Sequence, residues 1–218
     1  MSSTIKAATA KPVAFGIVAM TAVVVASNIL VQYPVNGNLG PVVLQDLLTW
    51  GAFTYPIAFL VTDLINRNFG PKAARRVVYA GFAVAVVLSI ALATPRIALA
   101  SGSAFLFAQL FDIQIFHSLR RKPWWAAPIV SSTLGSILDT LLFFGIAFSS
   151  SFAFVGYHDA FAVEAAPLFG FLPVEVSRWV SWALGDFSVK MVVAMCMLAP
   201  YRIFLGILGT VQPSKQPA

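Results

Sequence analysis

The sequence predicts an all-α membrane protein, a bundle of six transmembrane helices. Three observations carry this. Of 218 residues, 59% are hydrophobic and only 10% charged, where a soluble domain carries about 25% charged residues. The apolar excess recurs along almost the whole chain instead of forming one run, which is the mark of a polytopic membrane protein. Lysine and arginine gather in alternate loops, on one side of the successive apolar runs, as the positive-inside rule requires.

A span needs about 20 apolar residues. The first run covers 12–33, after a basic flank at 1–11 that is read as a flexible N-terminus. It continues past Ala26 with no clear A-x-A site, which favours a spanning helix over a cleaved signal peptide. The second covers 46–66 and is interrupted by Pro56. The third and fourth, 72–93 and 95–119, are separated only at Thr94 and Pro95, so a tight turn is expected. The fifth, 124–149, begins with Trp124 and Trp125, an interfacial anchor. The connection SSSFAFVGYHDAFAVEAAPLFGFLPVEV (149–176) is apolar but broken by glycine and proline, and reads as interfacial. The sixth run covers 178–208. One transmembrane domain, 12–209, and a tail, 210–218, result.

Lys6 and Lys11 precede the first run. Arg67, Lys72, Arg75 and Arg76 surround the loop after the second; Arg120, Arg121 and Lys122 follow the fourth; Lys215 is in the tail. The other loops have only Arg96 and Arg178 near them. Both termini are therefore expected in the cytoplasm. The formal charge of +6 reads as topology, not as a nucleic-acid surface. The one cysteine, Cys196, makes neither a disulfide framework nor a zinc motif.

Ionisable residues inside a membrane are costly and mark function by default. On this topology Asp63 and Arg67 fall near the inner end of the second span and Asp112 in the inner third of the fourth. Asp139 lies somewhat outward of the middle of the fifth. Asp186 and Lys190 lie in the outer half of the sixth, with Arg96, Asn28 and Gln32 also outward. Asp63 and Arg67 are spaced i, i+4, as are Asp186 and Lys190, so each pair can meet on one face. Structural readings stand beside functional ones. Asp63 and Arg67 can form a clamp, with Arg67 reaching to water; Asp112 can pair with Arg67, Arg75 or Arg76. Asp139 has no partner in its own span, so pairing with Arg96 or Lys190 competes with ligand binding. Asp186 and Lys190 can neutralise each other. His117 and His158 read as interfacial. No metal set, cofactor motif or nucleophile–base arrangement is found, so an enzyme is not expected, and with no Walker motif any use of ATP would need partner subunits.

The strings SNILVQYPV, TWGAFTYPIAFLVTDLINRNFG followed by ARR, AQLFDIQIFHSLRR, WWAAPIVSSTLGSILDTLLFFGIAF and GDFSVKM resemble, in order and spacing, the queuosine precursor transporter family, also called the vitamin uptake transporter family. The resemblance covers about residues 27–201. It implies a bacterial inner-membrane carrier for 7-deazaguanine bases, the precursors of a tRNA modification. It also implies a six-helix bundle similar to the substrate-binding subunits of energy-coupling-factor transporters. The family's aspartates fall on Asp63, Asp112, Asp139 and Asp186, with Lys190 after the last.

The residues suit such a ligand. A guanine-like base offers two adjacent donors, and a carboxylate two acceptors at matching spacing. Stacking on an aromatic ring contributes about 1–3 kcal/mol per base, and Trp50, Phe53, Tyr55, Phe105, Phe143 and Trp182 are available. Asn28, Gln32 and Gln109 can read the remaining edges, while Arg96 and Lys190 hold the carboxylates. The expected site lies between helices in the outer half, with Asp139 the first choice for the donor edge and Asp186 beside it. Asp63, Arg67 and Asp112 are expected to act as a cytoplasmic-side gate or structural clamp. Rival readings are a carrier for another nucleobase-like or vitamin-like solute, a structural membrane subunit, and an intramembrane enzyme. Energising subunits and homo-oligomers stay open as partners.

Overall fold

The computed structural model describes residues 2–156 and 159–207, with side chains from Ala10 onward. His158 and the 210–218 tail lie outside the described residues. Helix α1 (Ser2–Leu30) leads into a loop with a small hairpin, β1 (Asn38–Leu39) paired to β2 (Val42–Val43), and a 3-10 turn at Leu44–Asp46.

The second span departs from expectation. It starts at Gly51, not 46, and is two pieces, α2 (Gly51–Thr54) and α3 (Ile57–Phe69). Pro56 has no N–H, and its ring crowds the carbonyl one turn back. The chain tightens there: the amides of Ala58 and Phe59 bond back to the Tyr55 and Pro56 carbonyls. Five helices among the described residues are therefore long and apolar enough to cross a membrane, where six spans were predicted.

Gly70, at φ 81°, ends α3 in a conformation that costs a residue without Cβ little. Pro71 then opens α4 (Pro71–Leu92) at the position where a missing N–H is harmless. The expected tight turn is two residues long, and Thr94 Oγ1 accepts from the Ile97 amide at 3.4 Å to open α5 (Pro95–Leu119). Helix α6 spans Ala126–Phe148. The connection after it contains a 3-10 turn at Ser150–Val155, a short helix α7 (Ala160–Val163) capped by Asp159, and a hairpin of β3 (Ala165–Leu168) with β4 (Leu172–Ser177). Ala165 lies opposite Ser177, and the hairpin runs directly into α8 (Arg178–Ile207).

Helices α5 and α6 form the most extensive pairing; α4 packs against α1 and α5, and α8 against α6 and α3. Met20, Val77, Val78, Phe105 and Ile113 form one buried cluster, and Phe116, Ala127 and Tyr201 another near the α5–α6 turn. Outward faces carry Phe15, Val18, Ile90, Leu141, Val192 and Met195, all largely exposed. Such surfaces have no place in water but suit lipid, where every backbone polar group is satisfied within its own helix. The molecule is an all-α membrane protein.

Without a water-driven hydrophobic term, helices in lipid associate through close packing at small residues. Gly135 is such a point: a Cβ there would lie 2.9 Å from Phe59 Cε1 and 3.4 Å from Asp112 Cβ. Gly135→Ala is expected to destabilise by about 1–3 kcal/mol, the usual cost of overpacking, seen as a lower thermal midpoint in detergent. Gly145→Ala, whose Cβ would meet nothing within 4 Å, is the control and should leave the midpoint unchanged or slightly raised.

Candidate functional site

A chamber of about 360 Å³ opens between the helices at the end of the bundle where α1 finishes. That size is typical of small-molecule sites. Ser27 and Asn28 of α1, Tyr55 at the α2–α3 break, Phe105 of α5, Asp139 and Phe143 of α6, and Trp182, Asp186 and Lys190 of α8 line it. The loop after α1 covers it with Leu47 and Leu48. These two leucines lie over Gly185, where an added Cβ would sit 3.5 Å from Leu48 Cδ2.

The charges meet in one wall. Lys190 Nζ lies 2.6 Å from Asp139 Oδ2 and 2.5 Å from Asp186 Oδ2. The i, i+4 pair expected on α8 is thus present, and the same ammonium answers the charge on α6. Asp139 Oδ1 accepts from the Tyr55 hydroxyl at 3.0 Å, so both its oxygens are engaged. Thr140 Oγ1 donates to Asp186 Oδ2 at 3.4 Å. Asp186 Oδ1 has no hydrogen-bond partner among the described residues, and the Asp186 side chain is more open than that of Asp139, 17% against 5%. Two carboxylates against one ammonium leave the wall with net negative charge, and low dielectric makes that charge strongly felt by a ligand.

Flat walls complete the chamber. Phe148 and Trp182 meet edge-on at 5.4 Å, and Phe105 and Tyr55 at 6.2 Å. Phe144 and Phe148 also face the cavity. Of the polar residues singled out from sequence, Asn28 lines it, its Nδ2 donating to the Val24 carbonyl. The others are placed elsewhere. Gln32 donates to the Asn28 carbonyl of its own helix at 3.3 Å. Gln109 is fully buried and accepts from Thr62 Oγ1 at 2.7 Å. Trp50 is half-exposed and packs on Phe53 at 5.5 Å. Arg96 is buried at the start of α5, where its guanidinium donates to the Ile146 carbonyl at 2.8 Å and the Ser149 carbonyl at 2.5 Å. It ties α5 to the end of α6, where uncapped carbonyls attract a cation. The Tyr55 hydroxyl and Thr140 were not anticipated as partners of the aspartates. The one signal for Tyr55 is Pro56 after it, which breaks the helix there.

At the other end of the bundle, Asp63 and Arg67 are not ion-paired. Arg67 turns to the Tyr201 hydroxyl at 2.9 Å, the Arg120 carbonyl at 2.5 Å and the Trp124 carbonyl at 3.2 Å. Two carbonyls at the α5–α6 turn and a hydroxyl of α8 satisfy the guanidinium fork better than one carboxylate. Asp112 meets none of the basic residues suggested for it: Arg75 reaches Gln114 Oε1 at 3.4 Å instead. Asp63 and Asp112 face one another, with Ser131 beside Asp112.

Known proteins similar to this chain in sequence are transporters by name. A family model described as "Putative vitamin uptake transporter" matches residues 49–94 and 89–204. A queuosine precursor transporter of Escherichia coli (strain K12) is 33% identical over 208 residues, 85% of this chain and 83% of the relative. A probable queuosine precursor transporter of Haemophilus influenzae is 30% identical over 214 residues, with the same shares of the two chains. One of Bacillus subtilis (strain 168) is 29% identical over 128 residues, 46% of this chain and 56% of the relative. No solved structure matches the chain.

Proposed function

The chain belongs to the vitamin uptake transporter family, and from that premise we propose that it imports a queuosine precursor, a 7-deazaguanine base, across a bacterial inner membrane. The observation that carries this reading is an open carboxylate oxygen, Asp186 Oδ1, in a chamber walled by aromatic rings. A guanine-like edge presents its ring N–H and exocyclic amine to such an acceptor, and charge assistance strengthens the contact. Asp186 takes the first contact here, with Lys190 orienting it and Asp139 holding Lys190. Trp182 and Phe105 supply faces for stacking, and Asn28 a further polar contact. Asp63, Arg67 and Asp112 belong to the gate side.

In this reading α2 and α3 together make the second of six spans, giving a bundle like the substrate-binding subunits of energy-coupling-factor transporters. Both termini are cytoplasmic and the chamber faces outward, as the Lys/Arg alternation supports. The chain carries no catalytic step; it moves its solute unchanged. Cells unable to make 7-deazaguanine bases are expected to accumulate the labelled base, and to restore the tRNA modification, only when this chain is present. Equal accumulation without it would refute the proposal. A covalently altered product would point to an enzyme.

A further inference from the structure

The densest set of unsatisfied buried polar atoms among the described residues lies outside the chamber, where α3, α5 and α6 meet. Asp63 is 2% exposed and Asp112 fully buried. Asp63 Oδ1, both Asp112 oxygens, Ser131 Oγ, Ser136 Oγ, Asn66 Oδ1 and Gln109 Nε2 make no well-formed hydrogen bond, although Asp63 and Ser131 stand close to Asp112. All of these side chains are more than nine-tenths buried. None of the ion pairs among the described residues includes Asp63 or Asp112.

The surroundings supply little charge. On α3 itself Arg67 is nearest and its charge is felt by Asp63, but its guanidinium donates to Tyr201, Arg120 and Trp124 and ion-pairs with neither carboxylate. On α8, Tyr201 faces Asp63. On α6 the neighbours are serines, and the nearest ionisable group is Asp139, beyond Ser136. On α4, Lys72, Arg75 and Arg76 are exposed; on α1, Lys11 is exposed; further along α5 lies His117. Two facing carboxylates with no direct ion pair do not readily both ionise in a dry site. One proton held between them turns a repulsion into an O–H···O bond and satisfies atoms that are otherwise orphaned.

Polar side chains lie between this pair and the chamber. Ser136 precedes Asp139 by three residues on α6, so the two lie on one face. Ser132, Ser136 and Asp63 line a separate cavity of about 20 Å³, enough for one water molecule. Only Leu60, Phe59 and other apolar groups, with Tyr201, close its remaining sides.

We propose that Asp63 and Asp112 form a proton-binding site that couples solute uptake to proton entry. This rests on the transport reading above. The pair takes one proton from the chamber side, through the water-sized cavity, and releases it at the opposite end as the chamber empties. One proton moves per cycle and no covalent bond of the solute changes. A resident metal ion is a poorer fit, since no group of three His, Cys, Asp or Glu side chains gathers among the described residues.

The test uses the purified full chain in liposomes loaded with a pH-sensitive dye, given a labelled 7-deazaguanine base. Wild type should acidify the lumen as the base enters, and an acid-outside gradient should drive accumulation. Asp63→Asn and Asp112→Asn should each lose accumulation and acidification while still exchanging internal for external base. Entry without acidification, accumulation that follows a sodium gradient instead, or acidification retained in both variants would overturn the proposal. Infrared spectroscopy gives a measurement independent of the solute. A protonated-carboxyl C=O band at neutral pH should be present in wild type and absent when both Asp63→Asn and Asp112→Asn are made together; no such band in wild type overturns the proton site. If wild type moves no base at all, the transport reading falls, and the infrared band still decides the proton site. If the variants fail to insert, the wild-type acidification and band decide alone.

Discussion

Lys190→Met is expected to destabilise the protein by about 3–5 kcal/mol, the usual penalty for stranding a buried charge. Lys190 stands between Asp139 and Asp186 at 2.6 and 2.5 Å, and no other ion pair among the described residues serves either carboxylate. Removing it leaves two like charges facing each other in low dielectric. The result should be little protein in the membrane, a much lower thermal midpoint, and no ligand binding. Adding Asp139→Asn and Asp186→Asn to Lys190→Met removes the stranded charges and should restore the midpoint without restoring binding. Thermal unfolding in detergent and calorimetric titration read the two effects separately. Normal stability in Lys190→Met alone would show that the wall is not held by this ammonium.

Asp186→Asn should act on binding first. Asparagine keeps the shape, and its oxygen can still face Lys190, which places the amide N–H₂ where Oδ1 met the ligand's donors. A hydrogen bond to a charged group contributes about 1.5–3 kcal/mol, and about 1.4 kcal/mol is one decade in affinity. Binding of the guanine-like base should weaken at least about tenfold, with expression near normal. Asp139→Asn should behave differently. Its oxygens are already engaged by Tyr55 and Lys190, so its main effect falls on stability, with a smaller change in affinity. Ser132→Ala, outside the chamber lining, should leave affinity unaltered. A reversed order, with Asp139→Asn abolishing affinity and Asp186→Asn neutral, would return the base-reading role to Asp139.

Much of this arrangement can be read along the chain, and the failures have physical causes. The Asp186–Lys190 contact follows from i, i+4 spacing, which is a local rule. That Lys190 and not Arg96 answers Asp139 is a contact between helices, and spacing says nothing about which helices adjoin. Arg67 illustrates the same limit. Its partners are mainly backbone carbonyls at the α5–α6 turn, and every residue type carries a carbonyl, so no side-chain pattern announces them. Pro56 marks the break in the second span openly, yet a hydrophobicity count passes over it, because proline ends hydrogen bonding without ending apolarity. The hairpin at 165–177 escapes for a related reason. Only β4, LPVEVS, alternates; β3, AAPL, is apolar throughout, so one half of the pair lacks the period-2 signal that marks a strand.

The loop from α1 to α2 has a practical consequence. Leu47 and Leu48 rest over Gly185, immediately before Asp186, so the loop touches the wall that is proposed to hold the solute. Gln45, two residues earlier, is exposed at the cavity's edge. Cys196 is the chain's only cysteine and lies at the surface, so Cys196→Ser provides a blank background. A fluorophore on Gln45→Cys in that background would sit beside the chamber without adding bulk to the ion-paired wall. Its emission would track filling and emptying in real time, making the loop an optical gauge of occupancy for solutes that carry no label of their own.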